Sequence, residues 1–253
     1  LSSLSLPDVQ GRKLVFVITE DWFFASHFLP MARAAHELGL DVAVVCRVRS
    51  HREAIEATGA KVIPLEAERR SLNPITAGLK TGDLAAILRS EKADLVHCIA
   101  LRGILTGGFA ASMVGIKRRV YALTGLGFLG ARTDMVARLA QKAVRLLVRG
   151  LETGQTRYVF ENTDDPKLLG LDPAGERVTI LGGAGIDPDL LKPAPLPHQP
   201  PLRVAVVARM LWSKGIDVAV EAVRAARAEG APVSCPSMAP PIPRIRRRSR
   251  RRP

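Results

Sequence analysis

Two cations, Arg209 and Lys214, stand in a stretch that reads as strand, loop and helix. Arg203 to Val207 is a short Val-rich apolar run, which suits a buried parallel strand. Ala208 to Lys214 is the loop. From Gly215 onward, Ile216, Val218, Ala219, Val220 and Val223 have the spacing of a helix packed on a sheet. The cations therefore fall where a strand's carboxyl end meets a helix's amino end. Open α/β sheets bind ligands there, and helix amino ends favour anions. The chemistry this suits is a clamp on a diphosphate. The same residues also fit two solvated cations in an exposed loop.

Upstream of that stretch the chain alternates between apolar runs and helical patterns. Strands are predicted at Lys13–Thr19, Asp41–Cys46, Lys61–Leu65, Ala93–Ile99, Arg119–Leu123, Arg157–Phe160 and Arg177–Leu181. Glu20 to His27 reads as the loop after the first strand. Helices are predicted at Phe28–Leu38, at His51–Thr58, at Ile75–Glu91 with interruptions near Gly78 and Gly82, at Gly103–Val114 and at Thr133–Leu151. Gly107 and Gly108 would let their helix lie close to the sheet. This βαβ alternation predicts an α/β fold, a Rossmann-like parallel sheet with helices on both faces, followed by the first strand and helix of a second such domain. No Gly-x-Gly-x-x-Gly fingerprint is present, which argues against a dinucleotide cofactor. The expected organisation is a first domain over 1–187, a linker over 188–201 with six prolines, a second-domain fragment over 202–233, and a Pro/Arg-rich tail over 234–253.

The chain has 253 residues and a net charge of +13. Seven arginines and no acid lie in 234–253, so the remainder carries 13 − 7 = +6. That excess favours an anionic membrane surface or phosphorylated substrates and does not require nucleic acid. Cys46, Cys98 and Cys235 have no metal or redox spacing, which points to a reducing cytoplasm. No run of eighteen apolar residues predicts a membrane span, and the opening residues lack the order of a signal peptide.

Several segments, in order, resemble the retaining family 4 glycosyltransferases of GT-B fold that build capsule, O-antigen or exopolysaccharide chains. They are TEDWFFASHFLPMARAAHELGLDV at Thr19–Val42, DLVHCIALRGILTGGFAA at Asp94–Ala111, YALTGLGFLG at Tyr121–Gly130, YVFENTDD at Tyr158–Asp165, LGGAGIDPDLLKP at Leu181–Pro193, and the Arg209-Met210 and Lys214-Gly215 loop. The resemblance implies an acceptor-binding first domain, a donor-binding second domain and no metal. It also implies a nucleotide-sugar co-substrate, UDP-linked, and a lipid-linked or oligosaccharide acceptor at the inner face of the membrane. Arg209 and Lys214 would hold the donor diphosphate and stabilise the leaving group. His97 and His27 are the catalytic candidates, each able to touch the transferred sugar or the acceptor. Ser26, Gly125, Gly127, Gly183 and Gly185 are candidate acceptor or sugar contacts. Plain alternatives stand beside these roles. Ser26 fits a helix cap with His27 on the surface, His97 a hydrogen-bonded core histidine, and the glycines ordinary turns. The second histidine that many relatives carry is replaced here by Cys98-Ile99, and the usual Ser-Gly before the linker is Ala184-Gly185. Arg138, Lys142, Arg145 and Arg149 form a basic helix side that fits anionic lipid or a solvated face.

The resemblance also implies a pair of donor-binding Glu further on, yet nothing after Glu229 is acidic. A frameshift near Ser234 would account for the change of composition, and little transfer by this chain is then expected. The other readings of a shortened chain are a non-catalytic lipid- or partner-binding domain and a tail that binds nucleic acid through phosphates alone. No aromatic accompanies the tail's arginines, so no specific nucleic acid is expected.

Overall fold

A computed structural model describes residues 9–66, 74–125 and 134–186, and beyond them 188–189, 191–195, 201–208, 210 and 212–234. Contacts group the chain into two compact units, Leu1–Ile186 and Asp187–Pro253. The first unit is a seven-stranded, all-parallel sheet. Its strands are β1 (Lys13–Glu20), β2 (Asp41–Arg47), β3 (Lys61–Pro64), β4 (Leu95–Ile99), β5 (Arg118–Leu123), β6 (Thr156–Phe160) and β7 (Val178–Ile180), in spatial order 3-2-1-4-5-6-7. Its helices are α1 (Asp21–His27), α2 (Leu29–Glu37), α3 (Arg52–Glu56), α4 (Pro74–Ser90), α5 (Ala100–Val114), α6 (Met135–Gly150) and α7 (Asp164–Leu168). All seven predicted strands are present.

The strands read as unbroken apolar runs because the sheet is covered on both faces. On one face Phe16, Val42, Val44 and Ile99 pack with Phe24 of α1, Ala32 and Ala35 of α2 and Ile55 of α3. On the other, Val15, Val45, Val96, Cys98 and Tyr121 pack with Leu84 and Leu88 of α4, Ile104 and Ala111 of α5 and Val148 of α6. The chain fills one half of the sheet from β1 out to β3, then returns to β4 on the other side of β1. The switch point of the topology is therefore the crevice between β1 and β4.

Buried polar groups tie the helix ends to the amino edge of the sheet. Arg119 is buried without a carboxylate. Its Nε donates to the Ile116 carbonyl at 2.8 Å, and its Nη1 donates to Ser112 Oγ at 2.9 Å and the Leu151 carbonyl at 2.6 Å. These acceptors lie at the carboxyl ends of α5 and α6, where helix dipoles favour a cation. Tyr121 Oη also donates to the Leu151 carbonyl, at 2.7 Å. At the amino edge Lys13 Nζ reaches Asp41 at 2.9 Å and Glu91 at 3.0 Å, and Lys61 Nζ reaches Glu91 at 2.6 Å, joining β1, β2, β3 and the end of α4.

Four expectations need correction. Residues 21–27 are helix α1, not loop, because Phe24 finds a buried place against Phe16 with ring centroids 5.3 Å apart. The helix predicted from Phe28 begins at Leu29, Phe28 being the break between α1 and α2. The helix α4 runs through Gly78 and Gly82 without interruption; burial of Leu84, Ala85 and Leu88 offsets the roughly 1 kcal/mol that a helical glycine costs. In the second unit, the strand predicted over Arg203–Val207 is reduced to β8 (Leu202–Arg203), paired in parallel with β9 (Val233–Ser234), and Val207 is 96% exposed. Apolar composition alone does not make a strand where, among the described residues, no second layer covers it. The helix of this unit, α8 (Ile216–Ala228), forms as predicted but holds no buried residue. The predicted Pro/Arg-rich tail beyond Ser234 lies outside the described residues.

The expected close approach of α5 to the sheet is seen at Gly107, where a Cβ would lie 2.4 Å from Cys98 Sγ. Gly107→Ala should therefore cost about 1–3 kcal/mol through overpacking, and Cys98→Ala in the same chain should restore part of the loss. Thermal unfolding of the two single variants and the double variant measures this; additive effects would show that the two side chains do not meet.

Candidate functional site

A pocket of about 270 Å³ opens at the carboxyl edge of the sheet in the first unit. Its floor is Ala122 and Val159, on the ends of β5 and β6. One wall is the junction of α1 and α2, with His27, Phe28 and Met31. The other is the chain after β5, β6 and β7, with Thr124, Glu161, Leu181 and Gly183. Most of the lining is apolar, and the polar side chains on it are few: His27, Thr124 and Glu161. That mixture suits a ligand with an apolar face and a few hydroxyl or amide groups to orient it.

The break between the two helices positions His27. α1 ends at His27, Phe28 takes φ −120° and ψ 0°, and α2 starts at Leu29 with Pro30 in its first turn. Phe23 lies against the imidazole, with ring centroids 4.7 Å apart. His27 Nδ1 lies 2.6 Å from Ser26 Oγ and 3.3 Å from the Phe23 carbonyl. A carbonyl can only accept, so this contact places the hydrogen on Nδ1 and leaves the lone pair on Nε2. Ser26 is not a helix cap. It sits in the last turn of α1 and its hydroxyl donates to the Phe23 carbonyl at 3.1 Å, so it steadies His27 instead.

His97 lies elsewhere. It is 5% exposed, and it does not line the pocket. Its ring packs on Phe16 at 4.9 Å and edge-on against Phe28 at 6.5 Å. Burial pushes its pKa down to about 3, so the imidazole is neutral near pH 7. Its Nε2 is buried with no hydrogen-bond partner, which differs from the hydrogen-bonded core histidine considered above. Phe28 thus touches His97 on one side and the pocket on the other.

Among the candidate glycines, Gly125 and Gly183 have φ of 103° and 119°, open to glycine alone at little cost. Gly183 lines the pocket, Gly125 follows the lining residue Thr124, and Gly185 lies two residues beyond Gly183. Gly127 and Arg209 lie outside the described residues. Lys214 belongs to the second unit. It is exposed, ends a short 3-10 turn at Trp212–Lys214, and precedes the amino end of α8.

Two residues of the carboxyl edge were not singled out from sequence. Glu161 brings a half-buried carboxylate to the pocket; its signal was its place directly after β6. Asp21, directly after β1, is fully buried, and its Oδ2 accepts from the backbone N–H of Arg49 at 2.6 Å, Ser50 at 2.9 Å and His51 at 3.0 Å. It fixes the loop between β2 and α3 at the crevice. On the far side, Ala100 starts α5 at φ 60°, directly after Ile99 ends β4, with no connecting residue to absorb the turn. Such strain in a non-glycine residue gathers at functional edges.

Residues 13–153, more than half of the chain, match the model of a family described as glycosyl transferase 4-like. The chain is 22% identical over 205 residues to N,N'-diacetylbacillosaminyl-diphospho-undecaprenol alpha-1,3-N-acetylgalactosaminyltransferase of Campylobacter jejuni, a match covering 75% of this chain and 54% of that protein. The chain thus spans about half the length of the curated relative it matches. Among solved structures it is similar to a glycosyltransferase of Rickettsia africae, with TM-score 0.60 and 14% identity, over 89% of this chain and 59% of that one. It is also similar to S. aureus MnaA solved with UDP, with TM-score 0.54 and 17% identity, over 88% and 60%. The seven-stranded unit has the Rossmann-like architecture of a GT-B half.

The buried Asp21 yields a test of what holds the crevice. Burial by itself would raise its pKa, but backbone N–H groups of Arg49, His51, Trp22 and Ser50 outweigh it and hold the carboxyl below its ordinary value. Its contribution is then fully present above the unfolded value near 3.9 and is lost as pH falls through the folded pKa. Asp21→Asn should lose about 2 kcal/mol at neutral pH, with variant and wild type converging in acid. Urea unfolding at both pH values checks this; equal stability at neutral pH would refute it.

Proposed function

Because the chain belongs to the glycosyl transferase 4-like family, we propose that it serves sugar transfer from a nucleotide sugar to a lipid-linked acceptor in cell-surface glycan synthesis, its first unit holding the acceptor. The observation that carries this reading is the pocket at the carboxyl edge, where His27, Glu161 and the Gly183 turn converge on an apolar floor. The undecaprenol-diphosphate named for the Campylobacter relative supports the class of acceptor. The UDP in the S. aureus structure supports a UDP-linked donor.

In this reading the apolar floor takes one face of a sugar ring, while His27 Nε2 and the Glu161 carboxylate take its hydroxyls. As the acceptor's hydroxyl oxygen bonds to the anomeric carbon and that carbon's bond to the diphosphate oxygen breaks, the His27 lone pair takes the hydroxyl's proton, and Ser26 with Phe23 keeps the ring in that tautomer. The family resemblance assigns the donor diphosphate to Lys214 and Arg209 of the second unit. A cation at a helix amino end stabilises that charge as it develops. His97 is neutral and acts through Phe28 on the shape of the pocket. Transfer to a lipid-linked acceptor takes place at an anionic membrane surface, on its cytoplasmic side, and the chain rests there peripherally; among the described residues no helix is long and apolar enough to cross.

The acceptor half can be tested apart from turnover. Titration calorimetry with a short-chain polyprenyl-diphosphate saccharide should show binding that His27→Ala weakens about tenfold or more, the worth of a hydrogen bond to a charged or strongly polar group. Unchanged affinity would remove His27 from the acceptor site. Lys214→Ala should weaken UDP binding by a similar factor and leave the acceptor titration alone; an effect on neither ligand would take Lys214 out of the donor site.

A further inference from the structure

The helix α6 has three stripes at helical spacing. Ala137, Val144 and Val148 face the core, Val148 fully buried in it. On one flank of the outer surface lie Met135, Val136, Leu139, Leu146 and Leu147, between 46% and 87% exposed. On the other lie Arg138, Lys142, Arg145 and Arg149, all exposed. At ~100° per residue Met135, Leu139 and Leu146 point away from the core, and the cationic stripe runs directly beside them. Five large apolar side chains on one four-turn helix are more than a monomer's surface usually gathers in one place.

The cations indicate what covers them. Met135–Gly150 contains no Asp or Glu. Among the described residues Arg138 and Lys142 have no ion-pair partner, while Arg149 Nε lies 3.9 Å from Glu152 and Arg145 rests its guanidinium over Gly170. A second copy would bring the same cations against these and no acid to meet them. An apolar stripe running beside a cationic stripe is the pattern of a helix lying in the plane of a bilayer, apolar side chains among the acyl chains and cations among phosphates. We propose that α6 is the element by which this chain docks on an anionic lipid bilayer. This rests on the membrane reading above and names the surface that makes the contact.

Its place in the fold suits that task. Arg119 and Thr153 tie the carboxyl end of α6 to the amino edge of the sheet, through the Leu151 carbonyl at 2.6 Å and the Lys117 carbonyl at 2.6 Å. The helix runs from there ~24 Å toward the carboxyl edge, so Met135 and Leu139 stand at the end of the sheet where the pocket opens. A bilayer held along α6 lies within reach of that edge, where a lipid-linked acceptor would be met.

Flotation of the 253-residue chain with phosphatidylglycerol/phosphatidylcholine vesicles, against pure phosphatidylcholine vesicles, tests the proposal. The chain should float with the anionic vesicles. Leu139→Gln with Leu146→Gln should cut partitioning tenfold or more at any salt concentration. Arg138→Ala with Lys142→Ala should cut it about fivefold per cation removed, and only at low salt, where charges are unscreened. All four positions are exposed, and circular dichroism with thermal unfolding confirms that each variant is folded. If the chain floats and both double variants float equally well, α6 is not the contact although the membrane reading stands. If the chain does not float with either vesicle, the membrane reading fails and this inference with it. Neither outcome bears on the acceptor titration, which uses a short-chain soluble analogue.

Discussion

Everything in the first unit depends on the double-sided burial of β1. Six of its first seven residues carry no appreciable exposure, and it pairs with β2 on one side and β4 on the other. A strand buried on both faces needs helices above and below, and the connections supply them: buried helical side chains come from α1, α2 and α3 on one face and chiefly from α4, α5 and α6 on the other. The first set stops short. Its cover reaches Ile99 and Ala122, and beyond that the floor of the pocket begins, at Ala122 and Val159. The pocket is thus the place where the covering of one face ends while the sheet continues. No special device opens it; the short α1 and α2 do.

Among the described residues, the buried charges of the first unit are met by polar partners. Lys13 is met by two carboxylates, Arg119 by a hydroxyl and two carbonyls, and Asp21 by backbone N–H groups. Each removes the cost of taking a charge out of water. His97 departs from this, its Nε2 left without a hydrogen-bond partner between Phe16 and Phe28; Asp21 Oδ1 and Arg47 Nε are also buried without one, but each lies within 4 Å of an ion-pair partner, His51 and Glu66. Packing gives no reason for an imidazole there, since an apolar ring would fill the space without an unpaired nitrogen. The group costs stability and lies one Phe ring away from the pocket, and that pairing of cost with position is the reason His97 stays among the proposed site residues.

The strands were legible because burial on both faces writes itself as an apolar run. The helix stops at Gly39 and Gly59, each a glycine directly after a helical apolar pattern, were equally plain, both taking φ 86°. What sequence could not convey was cover. Asp21–His27 has the polar ends and bulky aromatics of a loop, and only the place open to Phe24 makes it helical. Val204–Val207 has the composition of a core strand but stays largely exposed, with Val207 96% exposed, among the described residues. At the site, position was readable from the rule that ligands gather at carboxyl ends of strands, so His27 and Gly183 could be named. Direction was not readable: nothing in the residue types distinguishes His27, which faces the pocket, from His97, which faces the core.

Helices α1 and α8 show the two ways a short segment becomes helical, and the difference bears on the two halves of the proposed chemistry. α1 has seven residues of modest propensity and is held by tertiary contact, with Asp21 and Phe24 buried. α8 has thirteen residues, five of them alanine, and no buried side chain. An isolated helix of that length is marginal in water even when rich in alanine. His27 therefore sits on an element whose geometry the core dictates, and its ring is steadied by Phe23 and Ser26. Lys214 sits at the head of an element with little tertiary support among the described residues: it buries no side chain, and its far end is tied to β9 by Arg227 Nε, which donates to the Val233 carbonyl at 2.7 Å. A diphosphate bound there would contribute order to the segment as well as receive charge from it, since an anion at the amino end satisfies N–H groups that α8 otherwise leaves open.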